Sequence, residues 1–297
     1  MVELTLGKVN NEERKFIPTK KVNFVKYIEG LEKVEEYKIT QTFEDGYKFR
    51  CYDDGKGLSF TKSKKIDKIS DIVEIDEATF NNVLNRTGKC IKKTRRTFKD
   101  GSFKIDVDYF SEPVVMILVE VSTSGDEKLG DYKVPSGFVD VTGNSIYDNS
   151  CIYNGSIISN GTILEGTDGV GKTTAIEALL KRGIICQDRC NDVISANMLF
   201  EIPMEQRTER YHEYLKKNDK KVIILVNNDK AELERRIYSR AEVSEFDKLA
   251  YEYNVLYLDT FNYMNERNML EGKMFLLDCT GLSVEDVTER LKNIILN

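Results

Sequence analysis

The chain has 297 residues, 40% of them hydrophobic and 32% charged, which suits a soluble globular protein of about two domains. Its formal charge of −6 argues against a general nucleic-acid binder, although a local basic channel can sit inside an acidic average. The longest apolar run, VVMILV at 114 to 119, is strand-sized, the start MVELTLGKVNNEERKF has no signal-peptide core, and the six cysteines show no CxxC spacing. Reduced thiols and a cytoplasmic protein without a membrane span are therefore expected.

Residues 1 to 155 read mainly as strands. Alternating segments at 37–43, 47–53, 57–63, 90–98, 103–110 and 114–122 are separated by Gly/Asp turns such as EDG, DDGKG and KDG. Helices are predicted over 21–34, with Phe24, Ile28 and Leu31 on one face, and over 76–88, which opens on an acidic turn and ends at Gly88. Side chains at i and i+2 of a strand share a face, so Glu13/Lys15, Lys48/Arg50, Lys62/Lys64, Glu74/Asp76, Lys93/Arg95 and Asp106/Asp108 each place two charges on one side of a sheet. An open sheet would show them to water. A closed barrel would aim them inward, where Lys and Arg neutralise a polyanion and carboxylates hold a divalent metal.

After the Asn/Gly-rich connection DNSCIYNGSIISNG, strands and helices alternate over 156–297, the pattern of a parallel α/β domain. Strands are predicted at TILEG, GIICQD, KVIILVNN and KMFLLDC. Helices are predicted at 172–182, 203–218, 230–243, 245–261 and 283–296, the last with a Ser283/Asp286 capping box. Between the first strand and its helix, Gly166-Thr167-Asp168-Gly169-Val170-Gly171-Lys172-Thr173 fits GxxxxGK[ST], a phosphate-binding P-loop, with Thr174 following. Its backbone N–H groups would face phosphate oxygens of ATP, Lys172 would reach the β and γ phosphates, and Thr173 would ligate Mg²⁺. His212, the lone histidine, lies on a polar helix and is expected at the surface, and the tyrosines at 211, 214, 251, 253, 257 and 263 are expected to pack in the core.

The stretch EGTDGVGKTT resembles the loop of thymidylate kinases and related nucleoside monophosphate kinases, in which an acidic residue, here Asp168, helps hold the acceptor sugar. Asp188-Arg189 resembles that family's Asp-Arg pair. The resemblance implies a carboxylate that orients the Mg²⁺ shell or accepts the attacking proton, and an arginine that meets an acceptor phosphate. ERRIYSR resembles the family's lid, with Arg235, Arg236 and Arg240 as candidates to close on the transferring group. The family's substrate segment before the Asp-Arg strand is missing here, which leaves 191–218 or the first domain to build the acceptor pocket. This compact order also resembles polynucleotide 5'-kinases, whose Asp acts as base toward a 5'-hydroxyl.

The first half resembles the CYTH superfamily, the triphosphate tunnel metalloenzymes. NEERKF matches the first-strand signature in part, and VPSGFVDVTGNSIYDN resembles the closing stretch, with Asp140-Val141-Thr142 and Tyr147-Asp148-Asn149. The resemblance implies phosphate binding by Lys15, Lys48, Arg50, Lys62, Lys93 and Arg95, and Mg²⁺ or Mn²⁺ held by Glu13, Glu120, Asp106 and Asp108. Two family carboxylates are replaced, by Asn11 and Leu118, which weakens a hard-cation site.

The expected architecture is an α+β antiparallel tunnel barrel (CYTH-like) over 1–155, followed by an α/β P-loop domain with a parallel sheet over 156–297. The expected function is ATP- and Mg²⁺-dependent phosphoryl transfer to a nucleotide or a nucleic-acid 5'-end. The tunnel would hold a triphosphate or polyphosphate, as a hydrolase or as a non-catalytic sensor that regulates the kinase.

Overall fold

Among the described residues, alternation in the first half builds one antiparallel sheet of ten strands. The structure, a computed structural model, describes residues 7–10, 12–19, 21–66, 69–123, 128–189, 201–240 and 243–297. Asn11 and residues 190 to 200, part of the segment expected to shape the acceptor pocket, lie outside the described residues. The chain divides into two units, Met1–Ile158 and Ser159–Asn297.

The first unit runs β1 (Gly7–Asn10), β2 (Arg14–Pro18), α1 (Lys21–Glu29), β3 (Glu32–Glu44), β4 (Tyr47–Asp53), β5 (Leu58–Ile66) and β6 (Ile69–Glu74). It continues through α2 (Glu77–Thr87), β7 (Ile91–Asp100), β8 (Phe103–Glu112), β9 (Met116–Thr123), β10 (Phe138–Asp140) and α3 (Asn149–Tyr153). The strand order is β1-β6-β5-β4-β3-β7-β8-β9-β2-β10. Among the described residues no ladder joins β1 to β10, so hydrogen bonding does not close the sheet into the expected barrel. It curls instead. β4 and β9 are four strand spacings apart, about 19 Å on a flat sheet, yet Lys48 on β4 feels the charge of Glu120 on β9. Asp148 and Asn149, at the start of α3, likewise accept from Lys15 on β2 and Lys93 on β7.

The outer face carries two apolar clusters. Phe16, Phe98, Ile105, Val107, Val119 and Val121 form a core with Phe24 of α1, and Phe49 packs on Phe80 and Val83 of α2. Helix α2 follows its sequence signals closely: the Asp76 side chain accepts from Thr79 N, and Gly88 closes the helix in the left-handed conformation. Helix α1 ends five residues short of the expected 34. Gly30 stops it, and Glu32 to Tyr37 join β7, with Arg96 Nε 2.9 Å from Glu36. Cross-strand pairing there overrides helical periodicity.

The second unit contains β11 (Ile163–Glu165), α4 (Lys172–Leu180), β12 (Gln187–Asp188), α5 (Met204–Lys217), β13 (Val222–Val226), α6 (Lys230–Tyr238), α7 (Ala250–Glu266), β14 (Met274–Asp278) and α8 (Val284–Leu296). All four strands are parallel in the order β12-β11-β13-β14. The strand β13, VIILV, is buried throughout, as expected for a parallel sheet covered on both faces. Helices α5 and α7 supply Tyr211, Leu215, Tyr253, Tyr257 and Met264 to the core against Val222, Ile224 and Val226. The chain leaves β11 for β12 on one side and later returns to β13 on the other. The end of β11 is therefore a switch point, the place where open α/β sheets form clefts. The expected capping box at Ser283 and Asp286 is present. Among the described residues no helix is long and apolar enough to cross a membrane.

Candidate functional site

The loop between β11 and α4 is shaped by its glycines. Gly166 has φ +134, and a Cβ there would lie 2.4 Å from Leu225 O. Gly169 has φ +80, with Ile237 Cγ1 2.8 Å from such an atom. Gly171 has φ +105 but open space beside it, the nearest atom being Arg236 Nη1 at 3.9 Å. The chain can wrap this tightly only without side chains at these points. Val170 is buried, and Thr167 Oγ1 donates to Ala250 O at 2.8 Å, which anchors the loop to α7.

Lys172 begins α4 and is buried. Its Nζ donates to Gly166 O at 2.6 Å and Thr167 O at 2.7 Å, so the ammonium sits inside the curl of the loop. Burial, reinforced by the nearby Arg189, pushes its pKa down to about 8. Thr173 and Thr174 are exposed on the first turn of the helix, where free N–H groups favour anions.

At the end of β12, Arg189 Nη2 donates to Asp168 Oδ1 at 2.6 Å. Against the burial that would raise it, Arg189 and Lys172 hold the Asp168 carboxyl below its usual range, with a contribution from Arg240. Arg189 has φ +61, an uncommon conformation for a residue with a side chain. The adjacent Asp188 Oδ1 and the Nε of Arg189 are buried without a hydrogen-bond partner. Orphaned buried atoms of this kind, beside a glycine cradle, fit a site that takes a phosphate ligand and its metal-bound water. Gly166, Thr167, Asp168 and Arg189 line a cleft with Ser244, Phe246, Tyr253 and Tyr257, enclosing about 470 Å³ including its open mouth.

The three lid candidates part company. Arg236 bonds Glu232 at 2.8 Å and points its Nη1 toward Gly171. Arg240 bonds Asp247 at 2.9 Å and acts on the Asp168 charge. Arg235 is 70% exposed and is held by Glu232 alone.

In the first unit, five of the six expected tunnel cations share the inner face of the curled sheet. Lys15 Nζ lies 2.8 Å from Asp148 and 3.3 Å from Glu13. Burial and the Glu120 charge raise the Glu13 carboxyl. Lys93 pairs with Asp108 and donates to Asn149 Oδ1 at 3.1 Å. Arg95 bonds Asp108 Oδ1 at 2.7 Å, Asp108 Oδ2 at 2.6 Å, Asp106 at 2.9 Å and Glu120 at 2.5 Å. Arg50 donates to Gln41 Oε1 at 2.9 Å and Tyr52 OH at 3.0 Å. Lys48 is half-buried, and burial together with Arg50 and Lys93 pulls its pKa well down.

Lys62 is a correction. It pairs in register with Phe49 on the α2 side of the sheet, and its Nζ lies 3.9 Å from the centre of the Tyr47 ring. Phe60, two residues earlier and packed in the same outer cluster, is the sequence signal that would have placed it there. The carboxylates Asp106, Asp108 and Glu120 do converge, but on Arg95; among the described residues no three His, Cys, Asp or Glu side chains are gathered to hold a metal. Glu13 stays with Lys15.

Asp148 and Asn149 belong to the stretch that resembles the family's closing segment and also opens the Asn/Gly-rich connection; they lie at the start of α3 and meet Lys15 and Lys93, a role assigned to neither from the sequence. Gln41 is wholly buried at the inner face. Tyr253 and Tyr257, expected as core, pack in the core and also line the cleft. His212 lies at the surface beside Glu271.

No protein-family model matches the chain, and no curated protein matches it. Among solved structures it is similar to the inorganic triphosphatase NE1496, with 22% identity over 49% of this chain and 95% of that one and a TM-score of 0.34. It is also similar to the PH1819 protein of Pyrococcus horikoshii OT3, at 18% identity, 38% and 78% coverage and a TM-score of 0.32. A third is a putative adenylate cyclase of Vibrio parahaemolyticus, at 16% identity, 42% and 80% coverage and a TM-score of 0.31.

Proposed function

We propose that the second unit is an ATP-dependent phosphotransferase acting on a nucleotide, and that the first is a binding site for a triphosphate or polyphosphate, as in a CYTH-like tunnel. The observation that carries the first part is the convergence on one cleft of the glycine cradle, Lys172 and the Asp168–Arg189 pair. A P-loop alone serves many reactions. An arginine with an unpartnered Nε next to an aromatic-lined cleft supports transfer to an acceptor that carries its own phosphate and a flat base.

In this reading the loop N–H groups and Lys172 would hold the ATP phosphates, Thr173 and Asp188 would hold Mg²⁺, and the metal when bound would neutralise charge on the transferring group. Lys172 would exchange its bonds to Gly166 O and Thr167 O for phosphate oxygens. Arg189 would hold the acceptor phosphate, Asp168 would keep that arginine aimed, and Asp188 Oδ1 is free to take a proton or order water. Arg236 and Arg240 stand nearest to complete the charge clamp. Of the five inner-face cations of the first unit, Lys48 and Arg50 make no ion pair among the described residues and would supply the anion site there.

Incubating the full chain with γ-labelled ATP, nucleoside monophosphates and 5'-hydroxyl oligonucleotides tests the kinase reading. Label is expected on a monophosphate. Label confined to oligonucleotide ends would replace this reading with that of a polynucleotide 5'-kinase, and ATP loss with no labelled acceptor would reject both.

A further inference from the structure

Three buried or nearly buried carboxylates in the first unit, Asp106, Asp108 and Glu120, meet at one guanidinium. We infer that Arg95 is the resident cation of this basin, standing between the carboxylates in place of a divalent metal, so that the unit takes up a phosphate chain without metal and does not hydrolyse it. The inference deepens the phosphate-binding reading of the first unit and rests on it only for the identity of the anion.

Register brings these groups together. Arg95 on β7 stands opposite Asp108 on β8, and Asp106 stands opposite Glu120 on β9. The guanidinium grips Asp108 with Nε and Nη2, reaches Asp106 with Nη1 and shares Nη2 with Glu120. Such a planar fork is always charged and suits several carboxylates at once. A Mg²⁺ ion needs its oxygens drawn to about 2.1 Å in an octahedral shell, with charge concentrated at one point. Oxygens spread around a guanidinium meet neither requirement. The position opposite Asp108 is Leu118, fully buried and without an oxygen to offer. Asp106 is satisfied further by Thr97 Oγ1 at 2.6 Å.

With its carboxylates engaged, the basin keeps an uncompensated positive end. Among the described residues Lys48 and Arg50 make no ion pair, and Arg50 donates only to the neutral Gln41 and Tyr52. Gln41 is 0% exposed, and its Nε2 has no partner. A buried amide donor left unpaired beside two cations calls for an acceptor, and a phosphate oxygen supplies one without a metal.

The test uses the full chain without nucleotide. Mn²⁺ binding, counted by electron paramagnetic resonance, is expected to show no site in the wild type that depends on Asp108. Arg95→Gln is expected to gain one, lost again in Arg95→Gln/Asp108→Asn. A wild-type Mn²⁺ site abolished by Asp108→Asn overturns the inference. Tripolyphosphate binding is followed in a Lys172→Ala background by calorimetry, and needs no Arg95 variant. Affinity is expected to change less than about twofold between EDTA and Mg²⁺, and to fall at least about tenfold in Lys48→Ala/Arg50→Ala, as for lost charge-assisted hydrogen bonds. Binding that requires Mg²⁺ overturns the inference. A Mn²⁺ gain by Arg95→Gln with no tripolyphosphate binding supports Arg95 as resident cation but rejects the phosphate reading of the unit, which separates the two failures.

Discussion

The Nη2 of Arg189 lies 2.6 Å from Oδ1 of Asp168, which ties the end of β12 to the glycine loop that leaves β11. The arginine reaches this point from a left-handed backbone, φ +61, which costs roughly 1–3 kcal/mol in a residue with a Cβ. Glycine would relieve that cost and lose a partly exposed ion pair of about 1 kcal/mol or less. Arg189→Gly is therefore expected to melt within a few degrees of the wild type, while kcat/KM for the acceptor falls about 100-fold, the scale of a lost charged hydrogen bond. A large fall in melting temperature would make the residue structural.

Lys172 gives the cleft a pH dependence. Burial, with Arg189 adding to it, brings its pKa to about 8. Bound phosphates favour the charged form and would raise that value. Below pH 8 the lysine is already protonated and ATP binding moves no proton through it. Above pH 8 the protein must take one up, so affinity falls as pH rises. Calorimetry at pH 8.5 in buffers of different ionisation enthalpy is expected to show proton uptake, absent at pH 6.5 and in Lys172→Ala.

Local signals were legible wherever the chain alone decides the outcome. Asp76 and Gly88 bracket α2 through their own hydrogen bonds, β4 spans 47–53 as its alternation indicates, and the glycine loop is fixed by its spacing. What the sequence conceals depends on register. Lys62 faces away from the basin because of its pairing with Phe49, and Asp148 and Asn149 reach Lys15 and Lys93 through long-range contacts that no local pattern encodes. The meeting of three carboxylates on Arg95 required strands β7, β8 and β9 in one alignment. Each of these charges was visible singly, but their mutual cancellation was not.

The glycines separate fold from function. At Gly166 a methyl group would meet the backbone oxygen Leu225 O at 2.4 Å, which cannot move without disturbing the β13–β14 ladder. At Gly171 only the left-handed φ opposes a side chain. Gly166→Ala is expected to lose more than about 2 kcal/mol of stability by denaturant unfolding, the scale of an overpacked core, and Gly171→Ala about 1 kcal/mol. Equal losses would contradict the close approach seen at Gly166.

The lid arginines differ in position and so in expected effect. Arg235→Ala removes an exposed side chain bonded only to Glu232 and is expected to leave kcat within about twofold. Arg236→Ala and Arg240→Ala remove the two lid cations that reach toward Gly171 and act on Asp168, and each is expected to lower kcat at least about 100-fold with little change in melting temperature. A single-turnover measurement separates this loss from slow product release.

Arg95 predicts a stability profile with a definite sign. Although burial works to raise its pKa, Arg95 and Lys93 hold the Asp108 carboxyl well below the usual range. Its contribution to stability is therefore present above the unfolded value of about 3.9 and is lost as pH falls below it. Arg95→Gln removes the cation that holds the Asp106 and Asp108 carboxyls down in a nearly water-free place, so burial is left to push them up past their unfolded values. Stability in the variant is then lost as pH rises through those raised values. Denaturant unfolding is expected to show a deficit of about 3–5 kcal/mol at pH 8, as for a broken buried ion pair, shrinking by more than about 1 kcal/mol at pH 5. A deficit independent of pH would mean that Arg95 acts by packing alone.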